Sequence, residues 1–332
     1  MSLSEFTLLR PRNLAEALGM LDRNAGSGAV RILAGGTDLL PSMRQRLFEP
    51  EYVLDICQLD ELMGIRETGE GIEIGTLTTL REIEQSALLR QRCPVLTQAA
   101  RSVASPVIRN MGTIGGNICL DTRCLWYNQS FAWRKSCGFC IKKDGDLCHV
   151  APGGTKCWAT FSGDTPAALL CLDAQIRIAS ATGTRRIPLC EFYTGEGDNY
   201  RKLQLNELVT RVILPRSSWG YQGMYSKLRI RGSIDYPLVG VAVAVKRSNR
   251  HIEDVKIALT AVSPAPVLVP GLDPLPSSGD LDEPQAEYAA QLAARIAKPL
   301  TTSALTPEYR REMVRVFTKR TLLVLTSTHD RL

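Results

Sequence analysis

Cysteine is concentrated in one part of this 332-residue chain, where six of its ten cysteines fall within a short stretch. The six are Cys119, Cys124, Cys137, Cys140, Cys148 and Cys157. In a reducing cytosol such a cluster indicates metal binding rather than disulfides. Four thiolates can hold zinc or a [4Fe–4S] cluster, and their spacing alone does not separate the two. His149, beside Cys148, keeps a mixed zinc site open.

Two glycine pairs are the second feature with chemical potential. Gly35-Gly36 precedes Thr37-Asp38, and Gly115-Gly116 stands between Thr113 and Asn117. Glycine leaves no side chain between backbone N–H groups and a ligand, so such turns can cradle a pyrophosphate. The spacing is not G-x-G-x-x-G, which argues against a Rossmann site. For each pair, a simple reversal of the chain is the alternative interpretation.

Regular elements are predicted on both sides of these motifs. The first glycine pair follows a predicted strand, Arg31 to Ala34. Apolar periodicity and turn residues predict a helix at 13–22, strands at 52–55 and 71–76, and helices at 80–85 and 94–103.

The pattern changes at the cysteine cluster. Residues 118–159 show neither helical nor strand periodicity, and an irregular segment of this length is uncommon unless something fixes it. Beyond it we predict a short helix or turn followed by a strand over 164–178. The remaining predictions are strands at 207–214, 223–229, 238–246 and 254–262, a loop at 263–278, and helices at 284–297 and 307–325.

Composition excludes several classes of protein. The apolar content of 44% and charged content of 22% are ordinary for a soluble protein, and the length suggests two domains. A net charge of +6 without a basic arm argues against nucleic-acid binding. No secretory signal or membrane-length apolar run is seen, which predicts a cytoplasmic protein without a membrane span.

The motifs resemble those of a known family, the FAD-binding medium subunits of molybdenum hydroxylases, relatives of xanthine dehydrogenase and carbon monoxide dehydrogenase. Ala34-Gly35-Gly36-Thr37-Asp38-Leu39 is similar to their first flavin motif, and Thr113-Ile114-Gly115-Gly116-Asn117 to their second. The resemblance extends to the segments Asp164 to Leu169 and Tyr225-Ser226-Lys227.

The resemblance implies an α+β fold in two domains. The first, residues 1–218, would be a two-part FAD-binding domain of the PCMH/vanillyl-alcohol-oxidase-like type. The second, residues 219–332, would be a smaller α+β domain, with the boundary near residues 217–221.

The resemblance also implies a set of flavin contacts. These are Leu33, Ala34, Gly35, Gly36, Thr37, Asp38, Leu39, Leu40, Val103, Thr113, Ile114, Gly115, Gly116, Asn117, Asp164 and Lys227.

Two of these contacts carry specific expectations. Asp164 would accept hydrogen bonds from ribityl hydroxyls, and Lys227 would stabilise a reduced, anionic flavin. Without the resemblance, Asp164 is equally well a helix N-cap, and Lys227 a surface lysine on a strand.

Most members of the family pass directly from the second flavin motif to the aspartate segment, whereas here a cysteine-rich insertion at about 118–160 intervenes. The insertion is similar to one in the beta subunit of 4-hydroxybenzoyl-CoA reductase, including Asp121-Thr122-Arg123-Cys124 and Tyr127-Asn128-Gln129-Ser130. That resemblance implies a [4Fe–4S] cluster whose ligands are Cys124, Cys140, Cys148 and Cys157. Cys119 and Cys137 have no counterpart among these ligands.

The resemblance further implies a molybdenum-cofactor large subunit, a [2Fe–2S] small subunit and a dimer of heterotrimers, with a ferredoxin-like electron donor. No catalytic residue is assigned here, because the molybdenum subunit would handle the substrate, 4-hydroxybenzoyl-CoA or a related aromatic acyl-CoA. One alternative is a molybdenum hydroxylase with outward electron flow. Another is a zinc-stabilised binding module without redox activity.

Overall fold

The computed structural model describes residues 3–24, 29–248, 251–275 and 281–326. Over these residues helices and strands are mixed, and the strands form three separate sheets. The predicted α+β class is therefore confirmed. Within the same ranges, every helix is too short or too polar to cross a membrane.

The N-terminal sheet has three parallel strands and holds the first glycine motif at its end. The elements are β1 (Thr7–Leu9), α1 (Leu14–Asn24), β2 (Val30–Leu33), α2 (Leu39–Arg44) and β3 (Tyr52–Asp55). The strand order is β1-β3-β2. Helix α1 buries Ala17, Leu18 and Leu21 in one cluster with Leu54 of β3. The chain leaves β2 directly into Gly35-Gly36, which precede α2.

The central sheet is antiparallel, in the order β4-β5-β8-β6-β7. Its strands are β4 (Ile65–Thr68), β5 (Gly71–Gly75), β6 (Gln175–Ser180), β7 (Gly183–Pro188) and β8 (Leu208–Pro215). Ile72 lies opposite Leu214, and Ile74 opposite Val212, so the two middle strands bury apolar side chains together. The insertion lies in the sequence between β5 and β6, which both belong to this sheet.

Short helices connect and cover the central sheet. They are α3 (Leu80–Gln85), α4 (Ala87–Arg92), α5 (Pro94–Ser102), α6 (Pro106–Arg109), α7 (Ile114–Ile118), α8 (Phe131–Ser136) and α9 (Thr165–Cys171). A capping box starts α3, where Thr79 accepts from the Glu82 N–H and the Glu82 carboxylate accepts from the Thr79 N–H. Helices α5 and α9 pack with Ile72 and Ile74 of β5 in one hydrophobic cluster, which we call the main core.

The C-terminal sheet is antiparallel, in the order β12-β11-β10-β9. Its elements are β9 (Tyr221–Leu228), β10 (Val239–Ser248), β11 (His251–Thr260), β12 (Val267–Leu268), α10 (Glu283–Ile296) and α11 (Pro307–Thr326). Successive side chains along β10 point to opposite faces of the sheet. Val241 and Val243 pack with the last two helices, whereas Ala242 and Ala244 belong to the main core beneath α9.

Several predictions differ from the observed elements. The insertion is not wholly irregular, since it contains α8, and the second glycine pair lies in α7 rather than in a turn. Strands β4 and β7 were not predicted. The predicted loop at 263–278 contains β12, and its last three residues lie outside the described ranges.

Candidate functional site

A cavity of about 700 Å³ lies where the N-terminal sheet, the central sheet and the loop after β9 meet. This is within the range of small-molecule sites. Twelve predicted flavin contacts line it: Ala34, Gly35, Gly36, Thr37, Asp38, Leu39, Val103, Thr113, Gly115, Gly116, Asn117 and Asp164. The structure thus brings both glycine motifs and the aspartate segment to the wall of one cavity.

The other four predicted contacts do not line the cavity. Leu33 and Leu40 support it from behind, since a Cβ on Gly36 would lie 3.2 Å from the side chain of each. Ile114 is fully buried in the main core. Lys227 reaches the cavity only through its contact with Asp164.

The first glycine motif is a close approach between two chain segments. A Cβ on Gly35 would overlap the carbonyl oxygen of Met111, next to the second motif. Gly36 has φ +69°, a left-handed conformation that favours glycine. Glycine is therefore required at both positions for the two motifs to touch.

The second glycine motif begins a helix, so the predicted turn at Gly115-Gly116 is wrong, while anion binding by its backbone stays a prediction. The Thr113 hydroxyl accepts from the Gly116 N–H at 3.1 Å and caps α7. A Cβ on Gly115 would lie 2.7 Å from the Cβ of Thr76. The glycines here allow tight packing of a short helix against the end of β5.

Asn117 has a role within the protein. Its side-chain oxygen accepts from the backbone N–H of Thr165 at 3.0 Å and from the Thr165 hydroxyl at 2.7 Å. It thereby caps the N-terminus of α9 and fixes the segment that follows the insertion.

Asp164 forms a buried polar cluster with Tyr225 and Lys227. Its carboxylate accepts from the Tyr225 hydroxyl at 2.8 Å and pairs with the Lys227 ammonium at 3.0 Å. Lys227 also donates to the carbonyl oxygen of Ser102 at 2.9 Å, and only 4% of its side chain is exposed. Asp164 makes no capping bond to α9. The helix-cap interpretation of Asp164 and the surface interpretation of Lys227 are both wrong.

Two opposing effects act on the pKa of Asp164 in this cluster. Burial raises the pKa of Asp164, while the charge of Lys227 and the hydroxyl of Tyr225 act to lower it. The arrangement places a carboxylate at the wall of the cavity and an ammonium directly behind it, both largely shielded from water.

The four cysteines predicted as ligands meet at a second, smaller recess. Cys124, Cys140, Cys148 and Cys157 all line it, whereas Cys119 and Cys137 do not. On the measure that gives the large cavity about 700 Å³, the recess is a narrow space of about 10 Å³. Cys119 instead lines the large cavity. Residues far apart in an irregular segment thus line one recess.

Within the described ranges, no three His, Cys, Asp or Glu side chains are placed to hold one metal ion. His149 stacks on Trp126 at 4.4 Å, and its Nε2 contacts the carbonyl oxygen of Phe139. A zinc site and a four-cysteine cluster both stay predictions for this recess.

Burial affects the protonation of the Cys157 thiol in the recess. Burial raises the pKa of Cys157 to about 12, and the Ala159 N–H and the charge of Lys142 oppose the rise. An iron centre binds thiolates, so the cysteines would lose their protons when a cluster binds.

Backbone contacts position the insertion. At its neck, Arg123 and Thr160 exchange N–H···O bonds of 2.7 and 2.8 Å. Near its tip, Phe139 has φ +60° and Asp144 has φ +65°, which turns the chain at Cys140. The buried Arg134 of α8 donates to the carbonyl oxygen of Arg46 at 2.7 Å, which ties the insertion to the segment after α2.

Three residues at these sites were not predicted. Tyr127 and Lys142 each line both the large cavity and the cysteine recess. Tyr236 donates to Asp38 at 3.0 Å and contacts Arg123, which pairs with Asp38. Tyr127 and Lys142 lie near cysteines in the sequence, which is a weak signal. The contact of Tyr236 with Asp38 has no local signal, because 198 positions separate them.

Comparisons with known proteins agree over nearly the whole chain. Residues 4–217 match the family described as the FAD binding domain in molybdopterin dehydrogenase, and residues 224–325 match the CO dehydrogenase flavoprotein C-terminal domain. The chain is 28% identical over 316 residues to the glyceraldehyde dehydrogenase medium chain of Sulfolobus acidocaldarius, covering 95% of this chain and 96% of that one.

Two further relatives extend the comparison. The nicotinate dehydrogenase FAD-subunit of Eubacterium barkeri is 31% identical over 245 residues, 74% of this chain and 70% of that one. The solved structure of reconstituted CO dehydrogenase from Oligotropha carboxidovorans is similar with a TM-score of 0.79 and 27% identity, covering 98% of this chain and 99% of that one. The names of these relatives refer to different substrates.

Proposed function

The chain belongs to the FAD-binding medium subunits of the molybdenum hydroxylase family, and from that premise we propose that it carries a [4Fe–4S] cluster beside its FAD. It would then be an electron-transfer subunit that links the cluster, the flavin and the partner subunits. The observation that carries this proposal is the convergence of Cys124, Cys140, Cys148 and Cys157 on one recess.

The large cavity suits FAD in shape and chemistry. Gly35 and Gly36 line the cavity, where a pyrophosphate could lie close to the backbone. FAD exchanges electrons in pairs or singly, which allows it to join two-electron and one-electron partners. This chain supplies the placement and the electrostatics.

Lys227 and Asp164 are the residues we assign to flavin tuning. The Lys227 ammonium would favour negative charge that develops on a nearby ring. Asp164 and Ser102 hold that ammonium in place, and Asp164 lines the cavity, where a ribityl hydroxyl could donate to its carboxylate. Tyr225 fixes the carboxylate from the other side.

The reaction of the complete enzyme is a finer proposal. The insertion resembles that of 4-hydroxybenzoyl-CoA reductase, which supports reductive dehydroxylation of that or a related aromatic acyl-CoA. Partners would be a molybdenum-cofactor large subunit and a [2Fe–2S] small subunit, in a dimer of heterotrimers supplied by a ferredoxin-like donor. The medium-chain designation of one relative fits an assembly of several chain types.

A second candidate is a molybdenum hydroxylase with outward electron flow. It is favoured by the relatives, whose names describe dehydrogenases of glyceraldehyde and nicotinate. Reduction of NAD by the purified complex would support this candidate. Reduction of the complex by ferredoxin, with loss of an aromatic hydroxyl from the acyl-CoA, would support the first.

Cofactor analysis of the anaerobically purified complex tests the site assignments. We expect one FAD per copy of this chain, and about four irons with matching sulfide beyond those of the small subunit. FAD without this extra iron would retain the flavoprotein and reject the cluster. Zinc in place of the iron would reject it as well.

A further inference from the structure

The large cavity and the cysteine recess share a wall made of two side chains. Tyr127 and Lys142 line both spaces, and both side chains are nearly inaccessible to solvent, with Tyr127 2% and the Lys142 side chain 5% exposed. The Lys142 ammonium lies 4.6 Å from the centre of the Tyr127 ring. An electrostatic interaction between groups bound in the two spaces therefore acts across Tyr127 and Lys142.

The Lys142 ammonium is held in a fixed place. It donates to the Asp121 carboxylate at 2.7 Å and to the carbonyl oxygens of Gly197 at 2.7 Å and Thr122 at 3.3 Å. The Thr122 hydroxyl also contacts it. The ring of Tyr200 lies 5.5 Å away. These partners come from the start of the insertion and from the segment before β8, so the ammonium is held away from solvent.

A buried charge at this position acts on both spaces. A unit charge a few ångströms from a redox centre is poorly screened when water is excluded, and the reduction potentials of iron–sulfur centres respond to nearby charge and hydrogen bonds. With a cluster bound, one-electron reduction would add one negative charge to it while its four thiolate bonds remain. A cation next to the recess would therefore stabilise the reduced form relative to the oxidised form.

We propose that Lys142 is a positioning residue that raises the reduction potential of the cluster in the cysteine recess and sets it against that of the flavin across the shared wall. The proposal rests on the cluster proposed above. Asp121 moderates the effect, since its carboxylate partly neutralises the ammonium. Tyr127 shields the pair from solvent on the side of the recess.

The test is a redox titration of the anaerobically purified complex, with dithionite as reductant and the cluster followed by electron paramagnetic resonance. Lys142→Met keeps the length of the side chain and removes its charge. We expect reduction of the cluster to become at least about tenfold less favourable, a negative shift of about 59 mV for a one-electron couple. Lys142→Arg, the matched control, keeps the charge and should shift the potential by much less.

A third variant covers the case in which Lys142→Met fails to assemble. Asp121→Asn leaves the ammonium uncompensated and should shift the potential in the positive direction. An unchanged potential in a Lys142→Met complex with full iron content would overturn the proposal. If Lys142→Met loses iron, an unchanged or negative shift in Asp121→Asn would do so.

Iron and flavin analysis of the wild-type complex precedes the titration. A wild type without the extra iron overturns the cluster itself, and this inference with it. A wild type with full iron, combined with a Lys142→Met potential like its own, overturns only the role of Lys142.

Discussion

Residues of one type can differ in role when their surroundings differ, as Cys137 and Cys140 show. They form a C-x-x-C pair that is typical of metal ligands. Cys140 is buried and lines the recess, whereas Cys137 follows the end of α8, does not line the recess and contacts the hydroxyl of Ser136. The spacing alone favoured both, and the resemblance selected only Cys140.

The two cysteines give a matched pair of variants. Cys140→Ala removes one of four thiolates, so we predict loss of most of the cluster iron with FAD retained, because the flavin cavity is lined elsewhere. Cys137→Ala should keep both cofactors. Iron, sulfide and flavin are measured on the anaerobic complexes. Full iron in Cys140→Ala would refute the ligand assignment.

Gly35 offers a second residue-scale prediction. Gly35→Ala places a methyl group on the carbonyl oxygen of Met111, so the two flavin motifs must separate. We expect loss of bound FAD and a destabilisation of about 1–3 kcal/mol, as for other overpacked sites. Flavin release and urea unfolding measure the two effects.

The control for Gly35 is Gly69→Ala, where nothing lies within 4 Å of the added Cβ. This variant should bind FAD like the wild type and unfold within about 0.5 kcal/mol of it. Normal flavin content in Gly35→Ala would show that the motifs tolerate separation.

At the scale of elements, periodicity predicted the parts that bury one face. Helix α1, strand β3 and the two final helices were predicted within a few residues because their apolar side chains recur at regular intervals. Strand β7 is exposed along most of its length, so its sequence carries no alternation to detect. Helix α7 was missed because Gly115-Gly116 disfavours a helix locally, and tertiary packing against Thr76 overrides that preference.

The candidate site was partly predictable for the same reason. Motif residues adjacent in sequence, such as Gly35 and Thr37, were found together. Contacts between distant segments, such as Lys142 with Gly197 and Asp38 with Tyr236, depend on how the elements assemble. Sequence pattern alone contains no trace of that assembly.

A pair of charges linking β7 to the start of β8 predicts a pH effect. The Arg185 guanidinium makes bonds of 2.7 and 2.8 Å to Glu207 and holds the pKa of that carboxyl below its usual range. A lowered pKa in the folded state gives stability that is present above the ordinary value and lost as pH falls through the folded value. Arg185 is 40% exposed, so screening limits the effect.

We therefore predict that Glu207→Gln lowers the free energy of unfolding by roughly 0.5 kcal/mol at pH 7, and that the difference shrinks below about pH 4.5. Urea unfolding at several pH values measures it. Glu70→Gln, in a pair where the glutamate is 69% exposed, should have a smaller effect. A difference that grows on acidification would contradict the argument.

At the scale of the whole molecule, three separate parts of the chain meet at Asp38. Arg123 of the insertion pairs with it, Tyr236 from the loop after β9 donates to it, and the Arg123 guanidinium stacks 4.4 Å from the Tyr236 ring. Asp38 itself belongs to the first flavin motif. The negative charge of Asp38 must be neutralised if a pyrophosphate is to bind nearby.

Arg123→Met leaves that carboxylate without its cation. We predict that the dissociation constant of FAD rises about tenfold, equivalent to about 1.4 kcal/mol. Fluorescence titration of the flavin-free complex measures the change. Arg10→Met, at a guanidinium that is 75% exposed and pairs loosely with Asp55 at 3.7 Å, serves as control and should bind FAD normally. Equal affinity in both variants would show that Asp38 does not need Arg123.

The closed neck of the insertion has a consequence for the ancestry of this subunit. Because Arg123 and Thr160 are already paired through their backbones, the chain on either side continues in the same direction whatever lies between them. A DNA segment encoding the intervening residues could be gained or lost in one event without breaking a strand or helix of the surrounding sheets. The same geometry offers protein engineers a graft point, at which a two-residue turn could replace the insertion, or the insertion could be transferred to a subunit that lacks it.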